Sequence, residues 1–124
     1  MKTRFKVLST VIAGLVCTAA MIGNAHAQAK PPAYVVVEFE VTDPVGWKQY
    51  TDGARALMNS GRFLVRATKG IPQSGEPPRN ITIVMFPSLE EAEAFNSSAA
   101  YTALKPIRDK SSKWRSYVVE GLPN

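Results

Sequence analysis

The stretch from Asn80 to Asn96, NITIVMFPSLEEAEAFN, constrains the fold most, because it sets a strand and a capped helix almost end to end. Ile81 to Phe86 is a short apolar run rich in β-branched residues, the pattern of a strand covered on both faces. Pro87 bars an earlier helix start. Ser88 stands at the N-cap and Glu91 three residues on, so each side chain can satisfy a free backbone N–H near the other as a capping box. A strand that turns so tightly into a helix belongs at the centre of a small α+β sheet.

At the N-terminus, Lys2, Arg4 and Lys6 precede a weakly apolar run from Val7 to Ile22. Ala25-His26-Ala27 then offers small residues at the two positions a signal peptidase reads. We read residues 1–27 as a secretory signal cleaved between Ala27 and Gln28, and expect a periplasmic or secreted protein. Ser9, Thr10, Gly14 and Thr18 interrupt the run too often for a retained spanning helix, so no membrane anchor is expected in the mature chain. Cys17 follows Val16, which is too large for a lipidation site.

Cys17 and His26 are the one cysteine and the one histidine, and both fall within this segment. The mature chain then lacks the residues for a Ser-His-Asp or Cys-His nucleophile, a Cys/His zinc site, a disulfide or a histidine-ligated haem. We expect no metal and no cofactor. Loss of Lys2, Arg4 and Lys6 leaves 12 of the 15 basic residues against 10 acidic ones, so the net charge falls from +5 to +2. The basic character belongs largely to the signal.

Residues 28–32 read as a flexible lead-in and residues 33–124 as a single domain. In Tyr34 to Val41, YVVVEFEV, residues Val35, Val37, Phe39 and Val41 fall on one face and Tyr34, Val36, Glu38 and Glu40 on the other. Asp43 caps a helix whose first residue is Pro44. Trp47, Tyr50, Ala54, Leu57 and Met58 form its buried stripe, and Gly61 ends it. Arg62 to Lys69, RFLVRATK, alternates as a second strand, with Phe63, Val65 and Ala67 opposite Arg62, Leu64, Arg66 and Thr68. Gly70 to Arg79 is a surface loop. After the capped helix, with Leu89, Ala92 and Phe95 inward, Asn96-Ser97-Ser98 breaks the pattern and can cap a further helical piece carrying Tyr101, Leu104 and Ile107, kinked at Pro106. Arg115 to Glu120 is the last strand.

The order is β-α-β-β-α-β, the ferredoxin-like arrangement: a four-stranded antiparallel sheet with two helices on one face. The other face carries Val36, Leu64, Ile81 and Ile83 and is too apolar to leave wet. A second copy is its natural cover, so we expect a homodimer, a dimeric α+β barrel.

Several phrases resemble a bacterial family of domains of unknown function, DUF1330, within the dimeric α+β barrel superfamily. They are VTDP at 41–44, GRFLVR at 61–66, FPSLEEA at 86–92, the segment from Tyr101 to Leu104, and VEG at 119–121. The resemblance covers nearly all of the mature chain and implies a homodimeric barrel, but no particular reaction. This chain has Met85 where such proteins usually carry Glu, Phe95-Asn96 where they carry Trp-Tyr, and Ala99-Ala100 where they carry Pro-Glu. Each change removes a polar or aromatic group from the region where a ligand cleft would lie, which favours binding over a shared reaction.

The candidate site residues are Glu38, Tyr50, Arg66, Tyr101 and Arg108. Glu38 and Arg66, both placed on the face away from the helices, can pair inside the barrel. There desolvation would perturb Glu38 and suit acid–base work, or the pair would serve as a buried structural bridge at the dimer interface. Tyr50 and Tyr101 can point hydroxyls into a cleft between helices and sheet, or be core residues with wet tips. Arg108 can clamp a carboxylate or belong to a solvated helix face. Lys105, Arg108, Lys110, Lys113 and Arg115, opposed by Asp109 alone, form a basic stretch. With no aromatic stacking motif and a small net charge, no nucleic-acid partner is expected.

Three functions follow: a dimer that binds a small molecule in a sheet–helix cleft, which leads; a cofactor-free isomerase or monooxygenase, with Glu38 as base, Arg66 steadying an oxyanion and a tyrosine orienting the substrate; and an interaction module that uses the basic helix.

Overall fold

The computed structural model describes residues 29–123. The expected signal segment 1–27 and its cleavage between Ala27 and Gln28 lie outside the described residues.

The elements are β1 (Ala33–Val41), α1 (Pro44–Leu57), β2 (Arg62–Thr68), β3 (Asn80–Phe86), α2 (Leu89–Ser97), α3 (Ala99–Ser111) and β4 (Ser112–Glu120). The sheet runs β2-β3-β1-β4 with every neighbouring pair antiparallel. This is the ferredoxin-like arrangement, with three helices rather than two.

The extra helix follows from Ser98. Its backbone is extended (φ −58°, ψ 144°), its hydroxyl donates to the Phe95 carbonyl at 2.9 Å, and the same oxygen accepts from the Tyr101 amide at 3.3 Å. One side chain thus closes α2 and opens α3. Pro106 lies inside α3 without ending it. The N-caps at Asp43 and Ser88 form, with Asp43 accepting from the Val45 amide and Ser88 from the Glu91 amide; of the expected capping box this Ser88 half is the one seen among the described residues. Gly61 is not the end of α1, which stops at Leu57 with Met58 as its C-cap. The glycine instead makes room for a close approach: a Cβ there would sit 2.9 Å from Phe86 Cζ.

β4 begins at Ser112, three residues before the expected Arg115, because β1 supplies a paired edge that long. Ser112, Lys113 and Trp114 face Val41, Glu40 and Phe39. Ladder hydrogen bonds hold this start of the strand, where local propensity offers little.

The strict alternation expected for β2 fails. Phe63 pairs with Val84 and Val65 with Ile83, so two steps on β2 match one on β3; from Val65 to Thr68 three steps match two, since Thr68 faces Ile81. Each mismatch is a bulge that reverses which face the next residues occupy. At the second, Ala67 takes a φ of 46°, and its amide donates to Thr82 Oγ1 at 3.0 Å.

The helix-side face presents Val35, Val37 and Phe39 from β1, Val84 and Phe86 from β3, and Trp114 and Val118 from β4. Two apolar clusters cover it. Ala33, Val84, Phe86 and Ala92 form one, and Tyr50, Ala54 and Tyr101 the other, with Phe95 packed against both. α1 lies close against α3 because Gly46 and Gly53 share a face two turns apart. A Cβ would come 3.1 Å from Ser111 Cβ at the first and 2.9 Å from Leu104 Cδ2 at the second. The opposite sheet face carries Val36, Ile81, Ile83 and Val65 with Glu38, Arg115 and Tyr117, and no helix among the described residues covers it. None of these helices is long and apolar enough to cross a membrane.

Candidate functional site

Between the sheet and α1 and α2, where the two clusters fail to close on each other, lies a cavity of about 500 Å³. Its floor is the helix-side face of β1, β3 and β4; α1 contributes Trp47, Tyr50 and Ala54, its C-cap contributes Met58, and α3 contributes Tyr101. The aromatic rings of one wall pack on each other. Phe39 stacks on Trp47 with centroids 4.6 Å apart, Trp47 lies 5.3 Å from Tyr50, and Trp114 meets Tyr50 edge-on at 5.8 Å. Such a wall is stiff, since moving one ring disturbs its neighbours.

Tyr50 and Tyr101 supply a buried polar pair among the lining residues. Their hydroxyls lie 2.8 Å apart and both residues are buried, 4% and 6% exposed. One hydroxyl donates to the other, and the acceptor keeps its own hydrogen for a third group. Burial raises the Tyr50 pKa above the ordinary tyrosine value, Tyr101 adds to the rise, and Arg108 partly opposes it. Tyr50 is therefore neutral and able to donate throughout the physiological range. Both residues line the cavity.

Arg108 does not line the cavity. Its guanidinium lies 4.9 Å over the Trp114 ring and its Nε donates to Asp109 Oδ1 at 2.8 Å. Burial works to lower its pKa, but the bonds to Asp109 and Tyr101 outweigh that and raise it. The residue backs the aromatic wall from outside and stays charged.

Glu38 and Arg66 do not pair, which corrects the expectation for both. β1 and β2 are separated by β3, and the bulges in β2 bring Arg66 to the helix side, where it lines the cavity with its guanidinium 5.2 Å from the centre of the Phe63 ring. Glu38 stays on the open face and accepts from Arg115 Nε at 2.5 Å and from the Tyr117 hydroxyl at 3.4 Å. The proposed catalytic set of Glu38 base, Arg66 and a tyrosine is thus split between two faces of the sheet. Met85 is corrected likewise: it lies on the open face, opposite Tyr34 and within reach of Arg62, away from the cleft. Phe95 and Asn96 do line the cavity.

Sequence reasoning missed Phe63, Trp114, Arg55 and Glu93 as lining residues. Phe63 and Trp114 carry a signal as large, strand-favouring aromatics, but a strand expected from Arg115 leaves Trp114 outside β4. Most of the basic stretch has partners within the chain. Lys105 donates to the Asn96 carbonyl, Lys113 lies 3.4 Å from Glu40, Arg115 holds Glu38 and Arg108 holds Asp109.

The fold and cavity together define a small ferredoxin-like α+β domain with an aromatic pocket between sheet and helices. The chain belongs to the family of domains of unknown function DUF1330, whose model matches residues 32–122. No curated protein matches it. Among solved structures it is similar to a protein of unknown function from Rhodopseudomonas palustris, with 11% identity, TM-score 0.60 and 79% of this chain and 88% of that one covered. It is also similar to a dimeric ferredoxin-like protein of unknown function from Thermobifida fusca, with 11% identity, TM-score 0.50 and coverage of 73% and 92%. A third is SnoaB, a cofactor-independent oxygenase from Streptomyces nogalater, with 10% identity, TM-score 0.50 and coverage of 76% and 96%. At these identities the likeness is one of fold.

Proposed function

We propose that this protein is an exported homodimer that binds a small molecule in the cavity between its sheet and helices. The observation that carries the reading is the cavity itself: about 500 Å³, walled by packed aromatic rings, with the hydrogen-bonded Tyr50 and Tyr101 among its lining residues. Volume, apolar lining and few polar anchors are the attributes of a ligand site. Export is supported by the basic start, the apolar run and Ala25-His26-Ala27. A second copy is supported by the uncovered apolar sheet face, on which Leu64, Tyr117 and Val119 are each 46% exposed. The dimeric Thermobifida fusca protein of like fold agrees with it.

The chain has two tryptophans, and both line this cavity. Intrinsic fluorescence is therefore a direct reporter of occupancy. Protein extracted from its native host is expected to carry a small molecule visible by native mass spectrometry, and stripping that molecule should change Trp47 and Trp114 emission. A fluorescence signal indifferent to removal and return of the extract would refute the reading. Light scattering on the mature chain is expected to give twice the monomer mass, and a stable monomer at micromolar concentration would refute the assembly.

A further inference from the structure

The cavity mouth has a charge composition that its apolar interior does not require. Of the lining residues, Arg55 and Arg66 are cations and Glu93 is the one carboxylate. Among the described residues no carboxylate lies within ion-pair distance of Arg66. Arg66 is nevertheless held in place. Two bulges bring it to the cavity side, Ala67 accepts a left-handed backbone beside it, and its guanidinium rests over the Phe63 ring. Stacking on a ring leaves the guanidinium edge, with its forked donors, free to meet a planar anion. An exposed arginine with no anchoring role ordinarily keeps several rotamers and needs no such support.

The interior favours a flat ring over a flexible chain. Phe39, Trp47, Tyr50 and Trp114 form one packed aromatic wall, which Tyr101 continues to Phe95 at 4.6 Å and Phe95 to Phe86 at 5.6 Å. A rigid ring loses little conformational freedom on entry, and an offset stack against such a wall adds to its burial. The sum of the lining charges is one positive, which one carboxylate neutralises.

Resting on the small-molecule reading above, we propose that the ligand class is a planar aromatic monocarboxylate, with its ring among the cavity aromatics and its carboxylate bound by Arg66 at the mouth. Phe63 is then a positioning residue for Arg66.

The test uses three probes titrated calorimetrically into the protein: 2-naphthoate, the neutral 2-naphthamide of nearly the same shape, and the aliphatic decanoate. Naphthoate is expected to bind about tenfold more tightly than naphthamide, because a charge-assisted bidentate pair replaces a neutral hydrogen bond. Arg66→Met should remove that preference by weakening naphthoate alone, Arg66→Lys should restore part of it, and Phe63→Leu should reduce it with Arg66 intact. Arg66 is exposed, so the melting temperature of Arg66→Met should match the parent; should that variant not fold, Arg66→Lys and Phe63→Leu carry the comparison. Equal affinity for naphthoate and naphthamide, or equal losses for both in Arg66→Met, overturns the carboxylate site while leaving a small-molecule cavity in place. Decanoate binding more tightly than naphthoate overturns the aromatic class. Binding of none of the three, with Trp47 and Trp114 emission unmoved, overturns this proposal and the underlying reading together.

Discussion

Replacing Tyr50 and Tyr101 by phenylalanine, singly and together, tests whether their hydroxyls form a coupled polar pair. The two hydroxyls are 2.8 Å apart and nearly shielded from water. A single Tyr→Phe substitution removes one net hydrogen bond, worth about 1 kcal/mol, and leaves the other hydroxyl buried without that partner, a further loss of roughly 1–3 kcal/mol. Arg108 acts on both tyrosines and can recover part of the second loss. Each single variant should therefore lose about 1–2 kcal/mol. The double variant removes donor and acceptor together and leaves two rings of unchanged packing, so it should lose about 1–2 kcal/mol in total, a coupling of roughly 1 kcal/mol. Urea unfolding at neutral pH measures this as midpoint shifts at constant slope. In melting temperature the single variants should fall by roughly 4–8 °C per kcal/mol for a domain of this size. Losses that add within about 0.5 kcal/mol would refute the pairing, because independent hydroxyls have nothing to couple.

The same pair predicts alkaline sensitivity. Burial holds the folded-state pKa of Tyr50 above its ordinary value of 10.0, so above about pH 10 the unfolded chain releases a proton that the folded chain keeps. Stability present below that pH is then lost as pH rises, by up to roughly 1.4 kcal/mol per unit, and Tyr50→Phe should flatten the slope in a pH series of urea midpoints. At the second bulge, Ala67→Val should destabilise by about 1–3 kcal/mol, since a β-branched residue fits a positive φ badly, and should weaken naphthoate more than naphthamide by disturbing Arg66. Gly53→Val should separate α1 from α3, because even a Cβ there meets Leu104 at 2.9 Å, and a fall in melting temperature with broadened tryptophan emission is the expected readout.

Much of the fold was legible because each element carries its own punctuation. Asp43-Pro44 and Pro87-Ser88 fix two helix starts by capping chemistry that needs no tertiary partner, and the alternation in Tyr34 to Val41 fixes which face of β1 is buried. What escaped depends on partners distant in sequence. The first three residues of β4 are strand because β1 runs alongside them, and of Ser112-Lys113-Trp114 only Trp114 favours a strand locally. Tyr50 and Tyr101 were legible as inward-facing residues from their helical spacing, but their mutual bond needed the close α1–α3 packing that Gly46 and Gly53 permit.

The misplaced pair, Glu38 and Arg66, shows how a local irregularity governs chemistry. Without bulges, period-two alternation puts Val65 on the helix side and Arg66 on the open face, as the sequence implies. The first bulge reverses the pattern after Phe63 and the second restores it by Thr68, so the net effect is to exchange the faces of Val65 and Arg66. On the open face, under the second copy proposed here, Arg66 would have been a buried cation two strands from Glu38, whose carboxylate already holds Arg115. An unpaired charge in that position costs several kcal/mol, while strain at one left-handed alanine costs only about 1–3 kcal/mol. The bulges therefore do two things with one distortion. They leave an apolar Val65 for the sheet-to-sheet contact and bring the cation to the rim of an otherwise apolar cavity, where water or an anion can reach it.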